Sequence, residues 1–366
     1  MAVNETPPFW FAKPGLKAFA LWPLSFIYSR AARARMFSKP TAALNVPVLC
    51  IGNFVVGGGG KTPTAIAFAQ AIKKKGYKPG ILSRGYGGKV AKQTIVDASI
   101  HNALDVGDEP LLLAKHAITV VSADRVVGAK MLIEEGCDFI IMDDGFQNPS
   151  LTKDFNLVVV DSRRGIGNGF SLPAGPLRVG IKHQMSMANA VLIVGEDDGA
   201  DKVIRLTAKS GRPIYHAKLA MQKPSQLRKQ NLLPYAGIAD PKKFFDSLIK
   251  AGAILAQVKP FGDHHYFHKD DITELLETAK KLDAQLVTTE KDQMRLIGMG
   301  QHQEALAEAS QIVEVKLQFE DKNSIGIIID KVLSNFYKRH LAQLKEIEKI
   351  NAEEAAANDK ATEVKK

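Results

Sequence analysis

The chain has 366 residues, of which 45% are apolar and 24% are charged, a composition typical of globular proteins. Its two cysteines, Cys50 and Cys137, each lie in an apolar run, and they are too far apart in sequence to form a typical cysteine metal motif. We therefore expect buried free thiols, which suit a reducing compartment. The net charge is +10, yet residues 1–96 alone hold fourteen basic residues and one acid, Glu5. This asymmetry indicates an anionic partner near the N-terminal region, and nucleic acid, anionic lipid and a phosphorylated substrate all fit.

The first predicted element is an aromatic helix near the N-terminus. Residues 18–29 carry no charge and are bounded by Lys13 and Lys17 on one side and by Arg30 on the other. This uncharged run is too short to span a bilayer, which needs about 20 residues, and no cleavage site for a signal peptide is evident. An aromatic helix between cations suits a position in the membrane interface. Packing of this helix against the protein's own core is the alternative, and both can hold for different faces.

A glycine loop, defined as residues 57–60, follows the first predicted strand and precedes a helix-like stretch that begins at Thr64. In such an arrangement, backbone N–H groups converge on the helix N-terminus and surround phosphate oxygens. The lysine then reaches the terminal phosphates, and the hydroxyl after it holds Mg²⁺. Val55 stands where the usual pattern has its first glycine, so a merely flexible turn is the alternative. The predicted phosphate-binding residues are Gly57, Gly58, Gly59, Gly60, Lys61 and Thr62.

Strands and helices then alternate along the chain. Apolar, strand-like runs lie at 79–82, 118–121, 139–142, 156–160 and 190–194. Continuous apolar strands between helices predict a doubly wound, mostly parallel α/β sheet like that of P-loop NTPases. The run 139–142 ends in Asp143 and Asp144, which would place one of these acids beside the phosphates as a Mg²⁺ ligand. A surface turn after a strand is the alternative.

The second half of the chain repeats this alternation and is separable. Helices are predicted at 241–251, 269–282 and 322–338, and strands near 254–258, 285–289 and 312–318. A polar stretch near 225–232 marks the boundary. The predicted organisation is an N-terminal membrane-associated helix at 1–40, a P-loop core at 41–228, a smaller α/β domain at 229–340 and a charged, disordered tail at 341–366.

The class of P-loop protein is narrowed by what the sequence lacks. Partition and arsenite-pump ATPases carry a lysine where this chain has Val56, which argues against a switch-type dimeric ATPase. The stretch 289–292 is out of register with the guanine-binding motif of GTPases. Of the P-loop proteins considered, a kinase or a ligase therefore remains. A kinase needs a base beside the acceptor hydroxyl, for which Asp108, Glu109 and the triplet 263–265 are candidates.

Short motifs are spread over residues 40–295, at 52–63, 82–88, 107–110, 122–125, 143–147, 167–169, 172–178, 263–264 and 288–292. Together they resemble the tetraacyldisaccharide 4′-kinase family of Gram-negative bacteria. The resemblance implies a two-lobed protein that uses ATP and Mg²⁺ to phosphorylate the 4′-hydroxyl of a tetraacylated glucosamine disaccharide 1-phosphate. The implied partners are this lipid A precursor and the inner-membrane lipid surface on its cytoplasmic face, reached through the N-terminal helix. No nucleic-acid partner is expected.

The resemblance also implies three kinds of site residue. Those that act in catalysis are Lys61, Asp108 as the base, and His264, chosen over His265, as its assistant. Those that bind the nucleotide or Mg²⁺ are the glycine loop, Tyr86, Thr62, Asp143 and Asp144. Candidates for contacts to substrate or phosphate are Arg84, Glu109, Arg125, Gln147 and Arg178.

Two positions depart from the family pattern. Asn148 stands where the family often has His, and Val179 where it often has Glu, so the roles of those two family side chains are in doubt here. Two other functions stay open: another P-loop small-molecule kinase or ligase, and a membrane-associated NTP-binding adaptor. An adaptor does not need Asp108 and His264, and those residues therefore discriminate between the hypotheses.

Overall fold

A computed structural model describes residues 6–57, 59–90 and 92–363 of the chain. The strands of this part are β1 (Val48–Gly52), β2 (Pro79–Ser83), β3 (Thr94–Ile95), β4 (Ile118–Val121), β5 (Phe139–Asp143), β6 (Phe155–Asp161), β7 (Ala190–Val194), β8 (Ile214–Met221), β9 (Asn231–Ala236), β10 (Ile254–Leu255), β11 (Lys259–Pro260), β12 (Gln285–Thr289), β13 (Ser310–Val313) and β14 (Val315–Phe319). Its α-helices are α1 (Leu16–Met36), α2 (Lys61–Lys74), α3 (Ala103–Val106), α4 (Asp108–Ala114), α5 (Arg125–Glu134), α6 (Ile181–Met187), α7 (Asp201–Lys209), α8 (Pro241–Lys250), α9 (Lys269–Leu282), α10 (Glu290–Met294), α11 (Gln301–Ala309) and α12 (Ser324–Glu363).

Most of these elements belong to one nine-stranded sheet with the strand order β14-β8-β7-β6-β1-β5-β2-β4-β3. Neighbouring strands are parallel except at the two edges, where β14 is antiparallel to β8 and β3 is antiparallel to β4. The central strands are buried along their whole length, which explains why their sequences are unbroken apolar runs. This topology is the predicted doubly wound, mostly parallel α/β fold.

The central strand β1 shows how the sheet is covered on both faces. Leu49 and Ile51 pack on one face in an apolar cluster with Phe68 of α2. Val48 and Cys50 point to the other face and belong to a second cluster. Because side chains alternate across a strand, a strand buried on both faces must be apolar at every position. Strand β1 is flanked by β5 and β6, so the loop that follows it opens at the carboxyl edge in the middle of the sheet.

A smaller, all-parallel sheet in the order β10-β9-β12-β13, with β11 beside β9, organises the second unit. Helices α8 and α9 lie where helices are predicted. The strand predicted at 312–318 is divided in two, since β13 ends the small sheet while β14 crosses to the edge of the large one. Helix α12 also packs on the large sheet, through Ile328, Ile329 and Val332. We therefore propose that the second domain spans 229–313 rather than 229–340.

Helix α1 presents a broad apolar surface to solvent. Only Ala18, Ser25 and Met36 are buried in it. The Ser25 hydroxyl donates to the carbonyl of Ser171 and accepts from the N–H of Ala174. These bonds fix the helix to the unit built on the nine-stranded sheet, which is called the large unit below. Its exposed large apolar residues are Leu16, Phe19, Trp22, Leu24, Phe26, Ile27 and Tyr28. Across the described residues, no helix combines the length and the apolarity needed to cross a bilayer.

Helix α12 continues through most of the segment predicted as a charged tail, because it runs from Ser324 to Glu363. Its first half is tied to the large unit by Arg339, which donates to Asp154 at 2.8 Å and to the carbonyl of Leu44 at 3.0 Å. Asp154 in turn accepts from the N–H of Val48 at the start of β1. The prediction for residues 364–366 lies outside the described residues.

Candidate active site

The glycine loop connects the end of β1 to the start of α2. Gly57 and Gly60 have φ angles of 102° and 89°, which side-chain-bearing residues rarely adopt. Lys61 is the first residue of α2; it is 7% exposed, and its Nζ atom lies 3.1 Å from the carbonyl of Gly57. Thr62 follows it and is also buried. Gly58 lies outside the described residues, so its predicted role remains a prediction.

Asp143 and Asp144 lie beside this loop because β5 pairs with β1, with Asp143 level with Ile51. Asp144 adopts a left-handed conformation with a φ of 49°, an uncommon state that recurs at functional sites. Its carboxylate lies 3.8 Å from Lys61 Nζ and accepts two hydrogen bonds from Arg178, at 3.0 and 2.8 Å. The structure thus brings together the predicted phosphate lysine, the two acids and one of the candidate arginines.

The two neighbouring acids differ in the direction of their pKa shifts. Burial raises the pKa of Asp143 to about 7, and the negative charge of Glu109 adds to that effect. Burial also opposes ionisation of Asp144, but Lys61 and Arg178 outweigh it and hold the pKa of that carboxyl well below its usual range. The Oδ1 atom of Asp143 is buried and has no hydrogen-bond partner. One carboxylate is therefore committed to cations of the protein, while the other keeps an oxygen free.

Asp108 and His264 come together across the cleft between the two units. Asp108 is the first residue of α4 and is 4% exposed, and His264 lies on the loop between β11 and α9. His264 Nδ1 is 3.0 Å from Asp108 Oδ2, and Asp108 Oδ1 accepts from the N–H of Glu109 at 2.8 Å. His264 has a φ of 57°, and its backbone N–H donates a hydrogen bond to the carbonyl of Gly237. His265 instead bonds Asp271 within the second unit.

Cations of the second unit surround Asp108. Burial favours the neutral form of Asp108, yet Lys291, Arg295 and His264 outweigh it and hold its pKa well below the usual range. Lys291 Nζ lies 2.8 Å from Glu109, whose pKa is also lowered: burial raises it, but Lys291 and Lys61 outweigh that effect. Asp108 and Glu109 are thus both held as anions, and Glu109 interacts electrostatically with Lys61.

The remaining predicted residues lie around this centre in different ways. Tyr86 is 65% exposed, and its ring centroid is 5.7 Å from that of His264. Arg84 is exposed on the same loop. Arg125 is buried and donates to the carbonyls of Ser83 and Ser122, so its contacts are to backbone at the ends of β2 and β4.

Gln147 belongs to a chain of hydrogen bonds that sequence reasoning does not find in full. It accepts from Arg178 at 3.0 Å and donates to the carbonyl of Asn53 and to Gln184. Gln184 is fully buried in α6 and donates to the carbonyls of Phe54 and Val179. A lone glutamine in a short helix carries no sequence signal of this role. The chain of bonds connects the Asp144–Arg178 pair to the backbone that enters the glycine loop.

Comparisons with known proteins show the family to which the chain belongs. The model of the LpxK family, described as tetraacyldisaccharide-1-P 4′-kinase, matches residues 17–334. A tetraacyldisaccharide 4′-kinase from Rhizobium etli is 46% identical over 343 residues, which cover 94% of this chain and 99% of that protein. Its counterpart from Rhizobium meliloti is 47% identical over 344 residues, with the same coverage of both chains.

A solved structure shows the same fold. LpxK from Aquifex aeolicus, crystallised in complex with ATP, superimposes with a TM-score of 0.66 at 24% identity and covers 86% of this chain and 99% of that chain. The family expected from the sequence motifs is the family that these comparisons find.

Proposed function

The chain belongs to the tetraacyldisaccharide-1-P 4′-kinase family, and we propose that it transfers the γ-phosphate of ATP to the 4′-hydroxyl of a tetraacyldisaccharide 1-phosphate in lipid A biosynthesis. One observation carries the proposal: Asp108 pairs with His264 and directly precedes Glu109, which links the pair electrostatically to the phosphate lysine. Glu109, next to Asp108, interacts electrostatically with Lys61 and with Asp143. A base, a phosphate lysine and acidic cation ligands in one neighbourhood are the parts that phosphoryl transfer requires.

The phosphate side of the site is supplied by the large unit. N–H groups of the glycine loop and the N-terminus of α2 bind the phosphate oxygens, and Lys61 neutralises charge on the terminal phosphates. Thr62, Asp143 and Asp144 fit a magnesium site, since one hydroxyl and two carboxylates are ligands that this ion prefers, and Asp143 Oδ1 has no protein partner. When bound, Mg²⁺ supplies further charge neutralisation. Tyr86 contacts the nucleotide from the loop after β2.

The acceptor side is supplied by Asp108 with His264. Asp108 is held ionised, and an acid of low pKa is a weak proton acceptor. A loose transition state places little demand on early proton removal, so the main task of Asp108 is to orient the 4′-hydroxyl and to receive its proton late. His264 assists through its bond to Oδ2. Arg84, Arg125, Gln147 and Arg178 are the candidates for the disaccharide and its phosphate.

The acceptor is a lipid, so the enzyme must meet it at a membrane. The exposed apolar residues of α1, together with Lys13, Lys17 and Arg30, suit the interface of an anionic bilayer. We place the protein at the cytoplasmic face of the inner membrane, where ATP is available, with α1 in the interface. Nucleic acid is not a partner in this proposal.

The decisive experiment is transfer of labelled phosphate from ATP to purified tetraacyldisaccharide 1-phosphate in detergent with Mg²⁺. We compare the wild type with Lys61→Ala, and with Lys74→Ala as a control for an exposed lysine at the other end of α2. Product from the wild type and Lys74→Ala, but not from Lys61→Ala, supports the proposal. No product from a wild type that binds ATP would contradict it and favour another acceptor or the adaptor hypothesis.

A further inference from the structure

Apart from Lys291, which helps to keep Asp108 and Glu109 ionised, the motif 288–292 has no role in the chemistry proposed above. It ends β12 and begins α10, and Arg295 directly follows that helix. Arg295 is 5% exposed, and its two acidic neighbours, Asp108 and Asp292, are 4% and 0% exposed. A buried arginine is costly unless its charge is paired, so its partners indicate what the residue does.

The Arg295 guanidinium connects the second unit to Asp108 of the large unit. Its Nε atom donates to Asp108 Oδ2 at 2.6 Å, and Nη2 lies 2.5 Å from the same oxygen. Its Nη1 atom donates to Asp292 Oδ1 at 2.8 Å and to the carbonyl of Gly237 at 2.5 Å. The side chain is therefore held on one edge by its own unit and presents its other edge to Asp108.

Asp292 is the residue of the motif that fixes this arginine. Its Oδ1 also accepts from the N–H of Gly237 at 3.0 Å, and its Oδ2 accepts from the hydroxyl of Thr289 at 2.7 Å. The carbonyl of Gly237 accepts hydrogen bonds both from Arg295 and from the N–H of His264. One small cluster thus orients both groups that meet Asp108.

We infer that Arg295 is a positioning residue for phosphoryl transfer: it fixes the Asp108 carboxylate in the orientation in which Oδ2 faces His264. Asp108 Oδ1 is occupied by the N–H of Glu109, so the two hydrogen bonds to Oδ2 complete the fixation of the carboxylate. Displacement of a reacting group by about 1 Å costs about 100-fold in rate, which makes such support necessary. The inference deepens the proposed function, because it rests on the role given there to Asp108.

Charge supports the same assignment. The groups that face Asp108 are His264, Lys291 and Arg295 from the second unit and Glu109 from its own helix, with Asp263 near Arg295 and Lys291. Removal of Arg295 takes away one of the cations that keep the Asp108 carboxyl ionised, so its pKa must rise. A structural arginine elsewhere in the fold has no such effect on the acid.

The test compares Arg295→Gln and Arg295→Lys in the full-length enzyme, with kcat, the KM for ATP and the pH dependence of kcat/KM measured per folded molecule. We expect Arg295→Gln to lower kcat by about 10- to 100-fold with a KM for ATP within about threefold of wild type. The acid limb of its profile moves towards higher pH, in the direction of the raised Asp108 pKa. Arg295→Lys keeps the charge but not the planar guanidinium group. Its kcat should therefore lie between that of the wild type and that of Arg295→Gln.

Arg339→Gln is the matched control, because Arg339 also pairs with a buried acid, Asp154, on a different part of the fold. It should lose stability while its kcat per folded molecule and its pH profile stay at wild-type values. An Arg295→Gln enzyme with wild-type kcat, with a change in KM alone, or with the same kinetic loss as Arg339→Gln would overturn the inference.

If Arg295→Gln does not fold, Arg295→Lys decides, and a wild-type kcat and pH profile in that variant would overturn the inference. The wild type is measured in the same assay. Its failure to make product would contradict the proposed function, whereas normal turnover of the Arg295 variants contradicts only the positioning role.

Discussion

Asp108 and His264 are separated by 156 positions in the sequence, yet His264 Nδ1 lies 3.0 Å from Asp108 Oδ2. The first residue belongs to the large unit and the second to the small one. Neither unit alone therefore contains both members of the pair. The proposed acceptor site exists only where the two units meet.

The first prediction concerns Asp108→Asn. The amide keeps the shape of the side chain but cannot take a proton, so transfer to the lipid should fall by at least about 100-fold. ATP binding should change little, because the glycine loop and Lys61 are untouched. The variant takes from the buried Arg295 one of its two anionic partners and leaves it Asp292, and we expect a loss of about 3 kcal/mol in unfolding free energy. Radiolabel transfer and nucleotide-binding calorimetry on the folded fraction check these expectations.

Asp330→Asn is the control for that substitution, since Asp330 forms an ion pair with Lys75 that is largely exposed. Its transfer rate should stay within about twofold of wild type, because exposed pairs contribute little. Normal turnover by Asp108→Asn would remove Asp108 as the proton acceptor.

The second prediction sets Asp143→Asn against Asp144→Asn in protein without Mg²⁺. The pKa of Asp143 in the folded protein, about 7, lies above its value in the unfolded chain, about 4. The folded state thus binds a proton more tightly between these values, and its stability falls as pH rises through this window. Asp143→Asn removes the charge that burial opposes, so at pH 8 we expect its unfolding free energy to rise by about 1–4 kcal/mol.

Asp144→Asn should act in the opposite direction. The pKa of Asp144 is lowered in the folded state, so its charge stabilises the protein above the unfolded pKa, and this contribution is lost as pH falls. Removing it at pH 8 leaves Arg178 without its acid and should cost about 1 kcal/mol. Both variants should lose phosphoryl transfer. Urea unfolding at pH 5 and pH 8 with a chelator tests the pair, and equal signs at pH 8 would contradict the assignment.

Local patterns were sufficient to predict most of the large sheet. The glycine loop is flanked by an apolar strand and a helix, and β5 ends at Asp143 with Asp144 directly after it, as expected. Helices α8 and α9 and strand β12 fall where the sequence predicts them. Each of these elements has a period or a boundary residue that acts over a few positions, which is the range that sequence reasoning covers.

Long-range pairing could not be read in the same way. Glu314 separates β13 from β14 by a single residue, yet the first is parallel in the small sheet and the second is antiparallel in the large one. Their sequences look like one continuous strand. Arg295 and Gln184 were likewise missed, because an isolated arginine or glutamine reveals its partners only after distant segments have packed. The sequence motifs locate the chemistry, whereas the residues that support it become visible only in the fold.

The third prediction concerns the membrane surface of α1. Leu24 and Ile27 are 57% and 66% exposed and lie on one side of the helix. The double variant Leu24→Ser/Ile27→Ser should lower the partition onto vesicles containing anionic phospholipid by about tenfold or more, since two apolar side chains no longer enter the interface. Stability should change little because both are exposed. Sedimentation with vesicles measures the effect.

Helix α12 offers a matched control. Leu341 and Ile347 are 57% and 53% exposed, so Leu341→Ser/Ile347→Ser removes a similar apolar surface elsewhere. We expect it to bind vesicles like the wild type. An equal loss in both double variants, or no loss in the α1 variant, would move the membrane contact away from α1.

The last prediction concerns Gln184, whose amide is buried and fully used. Gln184→Leu keeps the size of the side chain but leaves the carbonyl of Val179 without its side-chain donor and Gln147 without one acceptor. The carbonyl of Phe54 loses one of its two donors and keeps the N–H of Arg178. Unsatisfied buried polar groups cost about 1–3 kcal/mol each, so we expect unfolding free energy to fall by about 2–4 kcal/mol in urea titration. The backbone that enters the glycine loop should also loosen, which should raise the KM for ATP several-fold.

Gln226→Leu is the control, because Gln226 is exposed. It should change the unfolding free energy by less than about 0.5 kcal/mol and leave the KM for ATP unaltered. A destabilised Gln184→Leu enzyme with an unchanged KM would show that these hydrogen bonds stabilise the fold without shaping the phosphate site.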